Sequence, residues 1–250
     1  MRLRQRVGLV GLTRTAIGKH AGQLAGMEAA ELLAPALAAA REAAGALLVD
    51  DVIVGNVRNS IGNVGRVAAL AAGLGVETPA QTVDRQCASS LEALGIAAAK
   101  IASGLARGVL VGGVESASRC PWLLEKTARP YAYGEPRPYP VRLAPEEIGD
   151  PPMGETAEIL ADELGIGREE MDRFAFDSHR RAATARESGR FDAEVLPLEV
   201  PRRKGEPIRF DRDESVRPDA SLETLGRLKP VFREDGRVTA GNASPLRDRK

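Results

Sequence analysis

Apolar segments alternate with helical segments between residues 6 and 116, and this alternation limits the possible folds more than any other feature. We predict strands at RVGLVGLTR (6–14), VDDVIVGNV (49–57), PAQTVD (79–84) and RGVLVGGVES (107–116). We predict helices over about 27–44, over 64–75 and from Cys87 onward. Short apolar strands separated by helices are typical of α/β domains with a mainly parallel sheet. This part of the chain is therefore predicted to be an α/β core.

The character of the sequence changes after Ser118. Residues 129–154 are rich in Pro, Gly and Tyr, which is typical of irregular chain. Helices are predicted over 154–165 and over 168–189, whereas residues 201–219 are polar and predicted to be mostly non-helical. We therefore predict an α/β core at 1–118, an α-rich and partly irregular excursion at 119–244, and a short tail at 245–250.

The charge balance limits the possible partners. The chain has 35 Lys and Arg residues and 35 Asp and Glu residues, so its formal net charge is zero. Electrostatics therefore gives no support for nucleic acid or an anionic membrane as a partner. No segment approaches the length of a membrane span, and we find no signal peptide. The two cysteines, Cys87 and Cys120, lack disulfide-framework and metal-ligand spacing, so we expect a reducing, cytoplasmic setting and no metal.

Cys87 lies where the third predicted strand gives way to a helix, in TVDRQCASSLEALGIAAAKIASG (82–104). Unpaired backbone N–H groups and the positive end of the helix dipole stabilise a thiolate at such a position, and Arg85 is a nearby source of positive charge. Free cysteine is also among the most frequently buried residue types. Cys87 is therefore either a nucleophile or a packing residue. The apolar spacing predicts one buried helix face, formed by Leu91, Leu94, Ala98, Ile101 and Leu105.

A nucleophilic cysteine usually needs a group that accepts its proton, and the sequence nominates none. His20 lies in a glycine-rich loop and His179 in a charged helix, and both positions are more typical of surface or structural histidines. The glycines of GLVGLTRTAIG lack the spacing of a dinucleotide site, and no Walker motif is present. The basic residues of PRRKGEPIRF, with Arg212, Arg217, Arg227 and Lys229, are either phosphate contacts or a solvated face interleaved with acidic residues.

Four blocks of the sequence, taken in order, resemble the thiolase family of acetyl-CoA acetyltransferases. VDRQCASSLEALGIAAAKIASG is similar to the nucleophile segment of that family, and VLVGGVESASRCP to the block that follows it. Residues 152–198 resemble the loop domain of the family, and residues 213–244 resemble the stretch that leads back to the core. The resemblance implies a thiolase-like N-terminal α/β core with a loop-domain excursion.

The resemblance also implies roles for individual residues. Cys87 is implied to be the acylated nucleophile, with its backbone N–H in an oxyanion hole. Acyl-CoA and CoA are implied as substrates, with no permanently bound cofactor. The implied contacts are Met153 in the acyl pocket, Arg217 and Thr224 at the nucleotide end of CoA, and Ala240 and Ser244 on the pantetheine arm.

The sequence departs from the family pattern in several places. Asp84 replaces the common Asn, Ser90 replaces the Gly after Cys-x-Ser, and Pro152 stands where many biosynthetic members carry His. After Ser244 the family run is lost, and the Asn-Glu-Ala-Phe, Gly-His-Pro and Cys-x-Gly-Gly segments of the family are not among these 250 residues. In the family, those segments activate the nucleophile and move its proton.

We therefore expect apolar helix faces and a sheet edge to be exposed, and we expect the chain to associate with itself or with a chain that carries the second half of a thiolase. The leading hypothesis is a thiolase-type acyl-CoA C-acyltransferase that performs Claisen condensation or thiolysis through an acyl-cysteine. Two alternatives remain: a non-catalytic acyl-CoA-binding or scaffold subunit, and a truncated remnant without independent activity.

Overall fold

The computed structural model of the chain describes residues 6–58, 61–126, 135, 137–139, 141–202 and 204–244, together with the backbone of 247–249. The chain forms two compact units. The first comprises Met1–Cys120, Gly189–Ser215 and Leu246–Lys250, and the second comprises Pro121–Ser188 and Val216–Pro245. Residues 189–215, which the sequence analysis assigns to the excursion, lie in the first unit because they supply strands that pair there.

The first unit contains all the strands described. In chain order they are β1 (Arg14–Thr15), β2 (Gly18–Lys19), β3 (Asp51–Gly55), β4 (Ala80–Val83), β5 (Val109–Gly113), β6 (Glu115–Ser116), β7 (Val195–Leu196), β8 (Leu198–Val200), β9 (Ile208–Phe210) and β10 (Arg247–Arg249). Its helices are α1 (Ala29–Ala43), α2 (Val64–Ala71) and α3 (Ser89–Ala102). The α/β fold class predicted from the sequence is therefore confirmed.

A parallel three-stranded sheet of order β4-β3-β5 organises the first unit. The central strand β3 is buried along its whole length, as expected for a parallel strand with both faces covered. Val52 and Val54 belong to the cluster that includes α1 and α2, whereas Ile53 packs with residues of α3 on the opposite face. Each such side chain stabilises the fold by roughly 1.5–3 kcal/mol when fully buried. Helices therefore cover both faces of the sheet.

The predicted strand at residues 6–14 is wrong for most of its length. Only Arg14 and Thr15 are in a strand, β1, which pairs in parallel with β7. Leu12 is 72% exposed, and Leu9 and Val10 are also exposed. An apolar segment becomes a strand only where a neighbour takes its backbone hydrogen bonds. Among the described residues, β5 pairs with β3 alone, so the other edge of β5 is unpaired.

The predicted buried face of α3 is wrong at Leu91 and Leu105, whereas Leu94, Ala98 and Ile101 are half-buried. Ser89, Ala93 and Ala97 are buried, whereas Leu91 is 70% exposed and Leu105 is 78% exposed. The buried residues are small, so the helix backbone can approach the sheet closely. Ile96 is the large side chain of the helix that packs with Ile53 of β3, whereas Leu91 is exposed.

The second unit is helical, with α4 (Met153–Leu164), α5 (Arg168–Glu187) and α6 (Leu222–Gly226). The helices predicted at 154–165 and 168–189 are confirmed as α4 and α5. Gly165 ends α4 in the left-handed conformation at φ 67°, which glycine adopts without steric cost. No helix in the described ranges is long and apolar enough to cross a membrane.

Candidate functional site

Cys87 lies on the short turn between β4 and α3, and its side chain is exposed. It comes two residues before the first helical residue, Ser89. The exposure does not fit the packing alternative left open by the sequence. The positive end of the helix dipole favours negative charge at this end of α3.

Hydrogen bonds from and to the Asp84 and Ser89 side chains help to hold the turn that carries Cys87. The backbone N–H of Gln86 donates to Asp84 Oδ1 at 2.8 Å, and the N–H of Arg85 donates to Ser89 Oγ at 2.8 Å. The buried hydroxyl of Ser89 in turn donates to the carbonyl of Gln86 at 2.5 Å. Gln86 has φ 50°, a left-handed conformation that is uncommon for a non-glycine residue. These contacts fix the backbone immediately before the thiol.

Two glycines set how closely the start of α3 approaches the sheet. A methyl group added at Gly55, the last residue of β3, would lie 2.4 Å from the backbone nitrogen of Ser90. A methyl group added at Gly113, the last residue of β5, would lie 1.7 Å from Ser90 Oγ. Both positions therefore require glycine for the observed packing. Ser90, which replaces the Gly of the family pattern, contacts the sheet at this point.

Polar side chains gather at the carboxyl ends of the parallel strands, the edge where open α/β sheets bind ligands. Asn56 follows β3, Asp84 follows β4, and Glu115 comes two residues after β5. The Glu115 carboxylate accepts the backbone N–H of Val57 at 3.1 Å and that of Arg58 at 3.0 Å. Asn56 Nδ2 donates to the carbonyl of Val114 at 2.8 Å. Neither Asn56 nor Glu115 is among the site residues predicted from the sequence, because both lie inside the predicted strands 49–57 and 107–116.

Charges around this edge of the sheet shift the pKa of Glu115 in opposite directions. Burial raises the pKa of Glu115, the nearby charge of Asp84 adds to the rise, and the N–H donors and the charge of Arg58 oppose it. The guanidinium of Arg58 lies 3.9 Å from Cys120 Sγ. Arg85 forms an ion pair with Glu92, so its positive charge is offset by a carboxylate on α3.

The residues predicted to contact CoA lie in the second unit and all of them are exposed. Met153 is the first residue of α4 and is 67% exposed. Thr224 lies in the first turn of α6, where it forms a capping box with Ser221. Ala240 and Ser244 belong to the turn-rich segment after Thr239. This segment lies next to α6. A methyl group added at Gly241 would be 2.6 Å from the Leu225 side chain and 2.5 Å from the Leu228 side chain.

Arg217 and His179 contact each other within the second unit. The backbone N–H of Arg217 donates to His179 Nδ1 at 3.2 Å. The Arg217 residue is exposed. His179 therefore has a local structural contact, as its sequence position suggested. His20 is exposed in the turn after β2.

The basic residues after position 200 are partly paired with acidic neighbours. Arg209 pairs with Asp211 at 2.9 Å, and Arg227 forms an ion pair with Glu223 one helical turn away. The sequence left Arg209 and Arg227 as either phosphate contacts or part of a solvated face, and both are paired with carboxylates. No group of three or more His, Cys, Asp or Glu side chains that could hold a metal ion occurs in the described part of the chain.

Comparisons with known proteins place this geometry in context. The family model described as "Thiolase, N-terminal domain" matches residues 7–249. The chain is 42% identical to an acetyl-CoA acetyltransferase of Pseudomonas aeruginosa over 98% of this chain and 64% of that protein. It is 42% identical to a beta-ketoadipyl-CoA thiolase of Acinetobacter baylyi over 96% of this chain and 63% of that protein.

A solved structure shows the same likeness in three dimensions. The crystal structure of the Bacillus anthracis acetyl-CoA acetyltransferase matches with a TM-score of 0.85 and 36% sequence identity, over 96% of this chain and 62% of that one. The chain thus spans a little under two thirds of the length of these relatives.

Proposed function

Because the chain belongs to the thiolase family, we propose that it acts in acyl transfer from acyl-CoA through an acyl thioester on Cys87. The Cys87 sulfur attacks the carbonyl carbon of the acyl-CoA thioester, the bond from that carbon to the CoA sulfur breaks, and CoA leaves as a thiolate that takes up a proton. In condensation, a second acyl-CoA gives up a proton from its α-carbon, that carbon attacks the carbonyl of the acyl-cysteine, and the Cys87 sulfur leaves as the 3-ketoacyl-CoA forms. In thiolysis, Cys87 instead attacks the 3-keto carbonyl of a 3-ketoacyl-CoA, the bond from that carbonyl carbon to the α-carbon breaks, and the α-carbon takes up a proton as the shorter acyl-CoA leaves. CoA then receives the acyl group from Cys87. The observation that carries this proposal is the exposed Cys87 on a hydrogen-bonded turn at the N-terminus of α3.

The second unit supplies the proposed contacts to CoA. We assign Met153 to the acyl pocket, Arg217 and Thr224 to the nucleotide end, and Ala240 and Ser244 to the pantetheine arm. The exposure of all five residues supports this assignment, because a ligand can reach them. Acyl-CoA and CoA are substrates in this proposal, and no permanently bound cofactor is part of it.

We propose that a second polypeptide surface completes the first unit, from another copy or from a chain that carries the second half of a thiolase. The support is a cavity of about 750 Å³ beside the unpaired edge of β5, between residues 6–14 and the α3 side chains Leu94 and Ile101. Leu91 and Leu105 are further exposed apolar side chains of the first unit. A monomer in analytical ultracentrifugation that binds no hydrophobic dye would contradict the proposal.

A non-catalytic acyl-CoA-binding subunit is the second candidate. It is favoured by the absence, in the described part of the first unit, of a hydrogen bond from His20 to Cys87. Only the catalytic candidate forms an acyl adduct on the Cys87 thiol, so a covalent adduct distinguishes the two candidates.

Mass spectrometry tests the catalytic proposal directly. The purified chain is incubated with acetyl-CoA, and the acetyl adduct is sought by intact mass and located by peptide mapping. We expect one acetyl group on Cys87, none in Cys87→Ser, and an unchanged adduct in the matched control Cys120→Ser. CoA binding without any adduct, even with a partner chain added, would favour the non-catalytic subunit.

A further inference from the structure

A charge pair in the second unit lies near the start of α5. Arg168 Nε donates to Asp172 Oδ2 at 2.8 Å, one helical turn along α5. Asp172 is only 4% exposed, and Arg168 is partly buried. Buried charges are costly unless they are paired and hydrogen-bonded, so the remaining atoms of this pair should have defined partners.

Arg168 uses one of its terminal nitrogens, Nη2, to hold α6. Nη2 donates to the carbonyl of Leu225 at 2.8 Å and to that of Leu228 at 2.9 Å. The Leu225 carbonyl lies in the last turn of α6 and the Leu228 carbonyl two residues after it, at the end of the helix where a positive charge is favourable. Because α6 carries Thr224, the Arg168 side chain fixes the end of the helix on which that residue lies.

Asp172 uses its other oxygen to hold the segment after Thr239. Asn242 Nδ2 donates to Asp172 Oδ1 at 2.8 Å and to the carbonyl of Arg237 at 3.0 Å. Asn242 Oδ1 accepts the backbone N–H of Thr239 at 2.7 Å. Asn242 therefore closes the turn that carries Ala240, and its link to Asp172 ties that turn to α5.

A second buried carboxylate acts on the same segment from α4. Glu158, which is 1% exposed, accepts the backbone N–H of Arg237 at 2.8 Å and that of Val238 at 2.7 Å. A methyl group added at Gly236 would lie 2.5 Å from Glu158 Oε1, so the chain passes close to this carboxylate. Two helices thus hold the backbone that leads into the 239–244 turn.

We infer that Arg168 and Asp172 are positioning residues for CoA binding, because their linked side chains fix both α6 and the 239–244 turn in one arrangement. This inference rests on the proposed CoA contacts of Thr224, Ala240 and Ser244. Neither positioning residue needs to touch CoA. They keep α6 and the 239–244 turn in the arrangement that CoA binds, although the two segments are contributed by different parts of the chain. This lowers the entropic cost of ordering these segments on binding.

CoA binding measured by isothermal titration calorimetry tests the inference in the full chain. Asp172→Asn keeps the shape of the side chain but removes its charge, and we expect the dissociation constant for CoA to rise about tenfold, equivalent to about 1.4 kcal/mol. Asp177→Asn is the matched control, because Asp177 lies on the same helix and pairs with Arg180 at 3.1 Å on the exposed face. The control should bind CoA like the wild type.

A paired apolar replacement separates positioning from folding. Arg168→Met combined with Asp172→Leu leaves no unpaired buried charge, so its melting temperature should be close to that of the wild type. The bonds to Leu225, Leu228 and Asn242 are lost in this variant, so its dissociation constant for CoA should stay above that of the wild type. Wild-type affinity in this double variant, or in a folded Asp172→Asn variant, would overturn the inference. A wild-type chain that binds no CoA would instead refute the proposed CoA contacts.

Discussion

Gly55→Ala should destabilise the first unit and disturb the Cys87 turn. The added methyl group would lie 2.4 Å from Ser90 N, 2.5 Å from Ser89 C and 2.8 Å from Ser90 Cα. These are backbone atoms at the start of α3, so no side-chain rotation can relieve the overlap. Overpacking typically costs about 1–3 kcal/mol, and a backbone obstacle points to the upper end. Replacing a strand glycine returns roughly 0.5–1 kcal/mol of backbone entropy, so we expect a net loss of about 2 kcal/mol.

Urea unfolding followed by far-ultraviolet circular dichroism measures this loss, and the rate of Cys87 alkylation by iodoacetamide reports on the turn itself. The matched control is Gly95→Ala in α3, where an added methyl group meets nothing within 4 Å. The control should gain up to about 1 kcal/mol from helix propensity and leave the alkylation rate unchanged. A Gly55→Ala protein within about 0.5 kcal/mol of the wild type would show that the helix start is not held at the observed distance.

Two further predictions concern a steric pair and an ion pair. Gly113→Ala places a methyl group 1.7 Å from Ser90 Oγ, so it should lower the free energy of unfolding measured in urea. Adding Ser90→Gly should restore that free energy. If the effects of the two substitutions simply add in the double variant, the contact is contradicted. The pKa of Asp162 is lowered by hydrogen bonds from Arg237 and Arg233, so the ionised carboxylate stabilises the folded state. The melting-temperature difference between wild type and Asp162→Asn should be present at pH 7 and should shrink as the pH falls below about 4 toward the lowered pKa; equal differences at pH 7 and pH 3 would refute this.

The strands at the centre of the first unit could be predicted from the sequence because their apolar residues are contiguous and bounded by turn residues. β3 is buried on both faces, so its sequence needs no alternation. The segment 6–14 has the same apolar character but lacks a described neighbour along most of its length. Apolar character reports what a segment prefers to bury, and it does not report which backbone will pair with it.

The face of α3 was predicted wrongly because two faces satisfy the same helical period. Large residues at Leu91 and Leu105 suggested one face, whereas small residues at Ala93 and Ala97 form the buried one. The choice depends on how closely the helix can approach Gly55, and that distance is a property of the sheet rather than of the helix. The location of Cys87 just before α3 was predictable, since it follows from where the strand ends and the helix begins.

The hydrogen-bonded links in the second unit could not be predicted from sequence patterns. Asn242 and Asp172 are 70 residues apart, and Glu158 and Val238 are 80 residues apart. Neither pair shares an element or a periodic spacing, so only the folded chain brings them together. The roles of Met153, Arg217, Thr224, Ala240 and Ser244 stay predictions that the binding experiments address.

The way the second unit buries its side chains has a consequence for its response to temperature. Its described buried apolar residues are few, and two of the four are alanines: Ala161, Ala183, Leu225 and Val238. Its buried polar residues are Glu158, Asp172 and Thr239. Exposure of apolar surface raises the heat capacity on unfolding, whereas exposure of polar surface lowers it. The second unit should therefore unfold with a smaller heat-capacity change per residue than the first, and its stability should vary less steeply between cold and warm conditions.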